Sequence, residues 1–194
     1  DLDYKGDGML VAVLDTGFDV AHPAFQHMPD NQKRTLADIE GKFSQTAASV
    51  MGASDGTTAK DVYYNEKVPF AYDYADKDTD IMPFTSEHGT HVAGIIGGYD
   101  DNIVGVAIDT QFAIMKVFSD YETGAEDGDI LAALEDSVKL GVDAINMSLG
   151  SSAGWSREVD EEFKNEIYDS IEAAGIALVV AASNDHSCGY GHDK

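Results

Sequence analysis

The chain has 194 residues, 43% of them hydrophobic, which is the make-up of one globular domain of ordinary size or a piece of a larger one. Its 36 acidic and 12 basic side chains give a formal charge of −24, the wrong sign for holding phosphate backbones, so nucleic acid is excluded and basic peptides or cations are favoured as charged partners. No stretch is both long and apolar enough to span a bilayer.

In chain order, Met9 to Leu14 is a short apolar run between glycines and predicts a strand buried on both faces, with Asp15 just past its carboxyl end. From Pro29 to Asp61 the pattern dissolves into Ser, Thr, Ala and Gly with scattered charges, which predicts a surface insertion around 30–61 holding a short helix. Val68 to Tyr74 predicts a strand, and the acidic loop Asp76 to Glu87 leads into a helix that opens at His88. Phe112 to Phe118 is a further strand. Ile130, Leu134 and Val138 recur every four residues and mark an amphipathic helix ended by Gly141. Val142 to Leu149 predicts a strand. Phe163, Ile167, Ile171 and Ala174 mark a second amphipathic helix ended by Gly175, and Ile176 to Ala182 is the most apolar strand. Strands alternating with helices, with continuously apolar runs, predict an α/β fold with a parallel sheet covered by helices on both faces. In such sheets the site lies beyond the carboxyl ends of the strands, where Asp15, Ser148 to Gly150 and Asn184 all fall.

Glu87-His88-Gly89-Thr90-His91-Val92-Ala93-Gly94 sets a histidine where a loop becomes a small-residue helix, a position suited to a general base. The small residues let the helix lie close to whatever it packs on, so that backbone rather than long side chains fixes the ring. A carboxylate at a strand end, Asp15, and a histidine opening a helix, His88, fit the orienting and proton-accepting members of a nucleophile-activating triad. Asn184 offers an uncharged amide donor for an oxyanion, and Ser148-Leu149-Gly150 an exposed strand end able to pair with an extended peptide.

Four motifs in fixed order carry a resemblance. Val11-Ala12-Val13-Leu14-Asp15-Thr16-Gly17 followed by His22-Pro23, then His88-Gly89-Thr90-His91-Val92-Ala93-Gly94, then Ile145-Asn146-Met147-Ser148-Leu149-Gly150, then Val179-Val180-Ala181-Ala182-Ser183-Asn184, together resemble the subtilisin-like serine protease family. Tyr72-Asp73-Tyr74 and Ser183-Asn184-Asp185-His186-Ser187 are similar to a narrower branch, the large surface-attached subtilases of Gram-positive bacteria. That branch includes lactic-acid-bacterial envelope proteinases and streptococcal complement-cleaving peptidases. The resemblance implies that Asp15 orients and stabilises His88, that His88 is the general base, and that Asn184 donates to the oxyanion. Ser148, Leu149 and Gly150 would line the substrate groove, and His91 would be a buried structural histidine. The implied protein is a secreted or surface-attached bacterial endopeptidase acting on peptides or proteins through an acyl-enzyme. The rival is a subtilase-like binding or regulatory protein without turnover.

The departures from the family pattern matter as much. The family's nucleophile opens a Gly-Thr-Ser-Met-like helix far downstream of the oxyanion Asn, and no serine in this chain has that context. The chain alone is therefore expected to be inactive, as the N-terminal part (1–194) of a catalytic domain. Its start at Asp1 without Met, and its turn-rich end from Ser187 to Lys194, read as those of a processed or excised piece, with the serine either on a second polypeptide fragment, the favoured reading, or in a missing remainder of the domain. No cofactor is expected. Calcium is possible, but the family's common site looks absent, with Ala24 in the first ligand position and Tyr99 to Ile103 too short.

Competing readings of the same residues are weaker. Asp15-Thr16-Gly17 has no second copy to form an aspartic-protease pair, and His88 with His91 lacks a third ligand at zinc-like spacing. Asp76, Asp78, Asp80 and Glu87 fall at calcium-loop positions, but Ile81 replaces the required glycine and Pro83 stiffens the loop. Asp120, Glu122, Glu126, Asp127 and Asp129 stand where the family builds one wall of its groove, and are either a solvated acidic loop or a selector for Lys and Arg ahead of the cut. Cys188, the lone cysteine, rules out an internal disulfide and has no activating neighbours.

Overall fold

A computed structural model of the chain describes residues 3–150, 161–182 and 184. Among these, β1 (Leu10–Asp15), β2 (Phe70–Asp73), β3 (Gln111–Lys116), β4 (Ala144–Met147) and β5 (Ala177–Val180) form one sheet in the order β2-β3-β1-β4-β5, and every pairing is parallel. Alternate residues of β1 face opposite cores. Leu10, Ala12 and Leu14 pack with Leu134 and Leu140 of α5 (Asp127–Leu140) and with Ile167 and Ile171 of α6 (Glu161–Ala173). Val13 packs with Phe18, Phe25, Phe112 and Ala93, the last from α4 (His88–Gly97). The sheet is thus covered on both faces, as its continuously apolar strands require.

The expected helix ends are found: α5 is capped by Gly141 in the left-handed region, and Gly175 follows α6 with the same sign of φ. Of Phe163 only the backbone lies within the described residues. β4 and β5 are shorter than their apolar runs. Val142 is drawn back to cap α5, its N–H donating to the Ser137 carbonyl at 3.2 Å, and so cannot join the ladder. β5 lies at the sheet edge, where Val179 and Val180 remain 56% and 53% exposed.

The 30–61 segment is less superficial than its composition suggests. It forms α1 (Leu36–Phe43), α2 (Ala47–Met51) and α3 (Ala59–Val62), and Ile39, Phe43, Ala48, Ala59 and Val62 join the larger core. Its threonines are helix starts rather than loop filler. Thr35 and Asp38 cap α1 reciprocally, the Asp38 carboxylate accepting the Thr35 N–H at 2.8 Å, and Thr58 with Asp61 does the same for α3 at 2.7 Å. Asp136 of α5 reaches across to accept the N–H groups of Ala47 and Ala48 at 2.6 and 3.0 Å, which ties α2 to the main body.

Candidate active site

β3 and β4 are consecutive in sequence yet flank β1 on opposite sides, so the connection between them, which holds α5, crosses over a face of β1. The crevice of an open parallel sheet lies beyond the carboxyl ends of its strands. Asp15 is the last residue of β1 and only 2% exposed, while His88 is the first residue of α4. His88 Nδ1 lies 2.8 Å from Asp15 Oδ1 and 3.1 Å from Oδ2. A carboxylate can only accept, so Nδ1 carries the hydrogen, and in the neutral ring Nε2 is the nitrogen with the free lone pair. The His88 side chain is 50% exposed, against 3% for that of Asp15, and among the described residues Asp15 is its ring's only hydrogen-bond partner.

Local sequence produces this geometry through three adjoining residues. The Thr16 N–H donates to Asp15 Oδ1 at 2.7 Å and fixes the carboxylate plane. The Thr16 hydroxyl donates to the Ser86 carbonyl at 2.8 Å and accepts the Gly89 N–H at 3.1 Å, bridging the strand end to the start of α4. Gly89 must be glycine, because a Cβ there would lie 2.3 Å from the Gly17 carbonyl oxygen and 3.0 Å from Asp15 Cβ. Gly17 adopts φ 125° as the chain turns away, and Phe18 N–H then donates to the Ile81 carbonyl at 2.7 Å.

The other expected residues are less closely gathered. Ser148, Leu149 and Gly150 follow β4, the immediate neighbour of β1. Ser148 Oγ accepts from Asn146 Nδ2 at 3.0 Å, Leu149 packs partly into the larger core and Gly150 is exposed. Asn184 lies four residues past β5, exposed at a bend. Cys188 and the turn-rich end fall outside the described residues. His91, expected to be buried, is exposed among the described residues, because the inward stripe of α4 is Gly89, Thr90, Ala93, Gly94 and Gly97.

Past the carboxyl end of β3, a cavity of about 330 Å³ is lined by Asp76, Lys77, Tyr121, Glu122, Glu126 and Asp129 among others. Burial pushes the Asp129 carboxyl above its ordinary pKa, with Lys77, 3.6 Å away, pulling it back. The residues placed at calcium-loop positions do not converge. Asp76 accepts from Ser119 and the Asp120 N–H, Asp78 from the Asp80 N–H and Asp80 from the Met82 N–H. Among the described residues no three His, Cys, Asp or Glu side chains are grouped to hold a metal.

Sequence reasoning missed one set of groups. Lys116, the last residue of β3, has a fully buried side chain paired with Asp73 of β2 at 2.7 Å and with Asp120 at 2.6 Å. The signal was present in Phe112-Ala113-Ile114-Met115-Lys116-Val117-Phe118, since a lysine inside a strand buried on both faces must find carboxylates.

The sequence pattern described as the Subtilase family matches residues 6–193. The PII-type proteinase of Lactococcus lactis subsp. cremoris is 38% identical over 197 residues, covering 96% of this chain. The C5a peptidase of Streptococcus pyogenes is 31% identical over 197 residues, covering 95% of this chain. The chain spans only 10% and 16% of the length of these two relatives. Among solved structures, the protease domain of PatA matches with a TM-score of 0.61 at 23% identity, covering 95% of this chain and 53% of that one. The prenylagaramide maturation protease PagA matches at 0.58 and 23%, covering 93% and 48%. At such identities the structural likeness speaks to the fold.

Proposed function

Because the chain belongs to the subtilase family, we propose that it is the part of a serine endopeptidase catalytic domain that supplies the acid, the base and the oxyanion donor. The observation that carries this reading is the 2.8 Å contact of His88 Nδ1 with buried Asp15, which leaves Nε2 directed to a half-exposed position. In the proposed mechanism Nε2 takes the proton of a serine hydroxyl as that oxygen attacks the scissile carbonyl, then returns it to the leaving amine. Asp15 holds the tautomer and stabilises the imidazolium. The amide of Asn184 donates to the oxyanion, and Ser148, Leu149 and Gly150 pair with the extended substrate backbone.

The nucleophile is assigned to sequence outside these 194 residues, on a further stretch or a separate polypeptide fragment formed by autoprocessing, because no serine here opens a Gly-Thr-Ser-Met-like helix. The chain by itself is accordingly inactive. The bacterial relatives support a secreted or cell-surface site of action. The acidic cavity past the carboxyl end of β3 supports selection for Lys or Arg in the substrate residues ahead of the cut. Intact-mass analysis of the purified protein, followed by labelling with a fluorophosphonate, tests the assignment. A labelled serine outside residues 1–194, with labelling lost in His88→Ala, is expected; labelling indifferent to His88 sinks it. Cleavage profiling with a peptide library tests the preference, and indifference to basic residues removes it.

A further inference from the structure

Lys116 is the residue of the sheet whose chemistry the proposed reaction leaves unused. It is in register with Asp15 of β1 on one side and with Asp73 of β2 on the other. Two residues earlier in each strand, Val13, Ile114 and Ala71 belong to the same core cluster, so the three charged residues share the face on which α4 lies. The Lys116 ammonium has no exposed surface, and besides Asp73 and Asp120 it donates to the Asp80 carbonyl at 3.5 Å. Asp73 Oδ2 meets it as an ion pair at 2.7 Å.

These contacts tie together two loops that leave the sheet at its catalytic end. Asp73 Oδ1 accepts the N–H groups of Ala75 and Asp76, both at 2.9 Å, and so shapes the start of the 74–83 loop. Asp76 in turn accepts from Ser119 Oγ at 2.5 Å and from the Asp120 N–H at 2.8 Å. Ser119 Oγ accepts from Tyr121 and Glu122 N–H at 3.0 and 3.2 Å. Asp120 is therefore held by its side chain to Lys116 and by its backbone to Asp76, and the wall of the acidic cavity begins from that anchor. The same 74–83 loop carries the Ile81 carbonyl that receives Phe18 N–H behind the Asp15 turn.

We propose that Lys116 is a positioning residue for substrate: the Asp73–Lys116–Asp120 ion triad fixes the 117–126 wall of the groove at a set distance from Asp15 and His88. Buried ion triads add little stability relative to apolar side chains of the same size, so the contribution assigned to this one is geometry. Burial pushes the Asp73 carboxyl up to about 6, so it is still ionised at neutral pH. Burial also works against the Lys116 charge, but the bonds to Asp120 and Asp73 outweigh it and leave the ammonium above the ordinary lysine value. At neutral pH the ion triad is therefore charged at Lys116 and Asp73.

The proposal rests on the endopeptidase reading, and the experiment separates the two. The full-length protein is assayed on a short amide that offers one residue ahead of the cut and on a peptide that extends six residues ahead of it. The ratio of kcat/KM, extended over short, is expected to fall about tenfold in Asp120→Asn and in Lys116→Met, chiefly through KM, because only the longer substrate reaches the wall. The double variant is expected to fall no further than either single one, as for two residues acting through one contact. An unchanged ratio in Asp120→Asn, or an additive double variant, overturns the proposal. Asp120 is partly exposed, 18% by side chain, so its variant carries the test even where Lys116→Met fails to fold. A wild-type protein that cleaves neither substrate overturns the endopeptidase reading and this inference with it.

Discussion

His88 Nδ1 and Asp15 Oδ1 stand 2.8 Å apart across 73 residues of sequence, one at the start of a helix and the other at the end of a strand. Their exposure is unequal, 3% for the Asp15 side chain against 50% for that of His88. In the proposed mechanism the buried carboxylate keeps one tautomer and one ring orientation, while the half-exposed Nε2 is left open to the attacking hydroxyl. Backbone pins both partners, Asp15 by the Thr16 N–H and His88 by its place one residue before Gly89.

Asp15→Asn keeps the shape of the site but turns an acceptor into a donor toward Nδ1, which favours the tautomer with hydrogen on Nε2. In the full-length protein kcat is expected to fall by roughly 10⁴-fold with KM little changed, and His88→Ala by roughly 10³-fold or more. Steady-state kinetics on a peptide substrate measure this. Loss confined to KM in either variant contradicts the assigned roles.

Gly89→Ala tests the close approach itself. The added Cβ would meet the Gly17 carbonyl at 2.3 Å and Asp15 Cβ at 3.0 Å, and neither group can swing aside as the end of a flexible side chain does. Overpacking of this kind costs about 1–3 kcal/mol. A displacement of α4 by about an ångström separates base from acid and is expected to lower kcat by about 10²-fold. Thermal unfolding and kcat of the variant give the answer; a protein as active and as stable as wild type shows that the helix start is not constrained as described.

Asp15 and His88 were legible in sequence because each sits in a short motif whose backbone is set by its immediate neighbours, Thr16 and Gly17 for one and Gly89 for the other. The parallel sheet was legible in the apolar runs, and the ends of α5 and α6 in Gly141 and Gly175. The ion triad was not, because its central pair, Asp73 and Lys116, are neighbours only through strand register, and register emerges from the packed sheet. The helices of the 30–61 segment hid behind a composition typical of loops. Their start signals, Thr35 with Asp38 and Thr58 with Asp61, use aspartate where the common capping pattern has glutamate or glutamine. The exposure of His91 could not be read from a motif that says nothing of which helix face meets the sheet.

Asp136 offers a stability test outside the site. Its buried carboxylate accepts from Ala47 N–H, Ala48 N–H and the Tyr74 hydroxyl at 2.6, 3.0 and 2.6 Å, and burial raises its pKa against the pull of those bonds. Asp136→Asn replaces one accepting oxygen by an NH₂ group that faces donors. At least one buried donor is left unpaired, at about 1–3 kcal/mol. A fall of several degrees in the unfolding midpoint is expected, with kcat retained in the folded fraction. An unchanged midpoint means that α2 is not tied to α5 through this residue.

Lys67 gives the sharpest dependence on pH. Its side chain is fully buried, donates to the Ile108 carbonyl at 2.5 Å and lies 5.4 Å from the centre of the Phe112 ring. Burial pulls its pKa down to about 8 from 10.5, with Asp109 opposing. Between those two values the unfolded chain holds the proton and the folded chain has released it, so stability from this group rises with pH across the window. Below pH 8 both states are protonated and the full cost of burying the ammonium is present. Lys67→Met keeps the length of the stem and removes the charge, and is expected to stabilise the domain at pH 7 by about 1–3 kcal/mol. The gain should shrink as pH is raised from 8 toward 10.5. Comparing unfolding of the two proteins at a series of pH values isolates Lys67 from the other lysines and tyrosines that titrate there. A stability difference that stays constant across the window contradicts the depressed pKa, and a variant less stable than wild type at pH 7 shows that the Ile108 and Phe112 contacts outweigh the cost of burial.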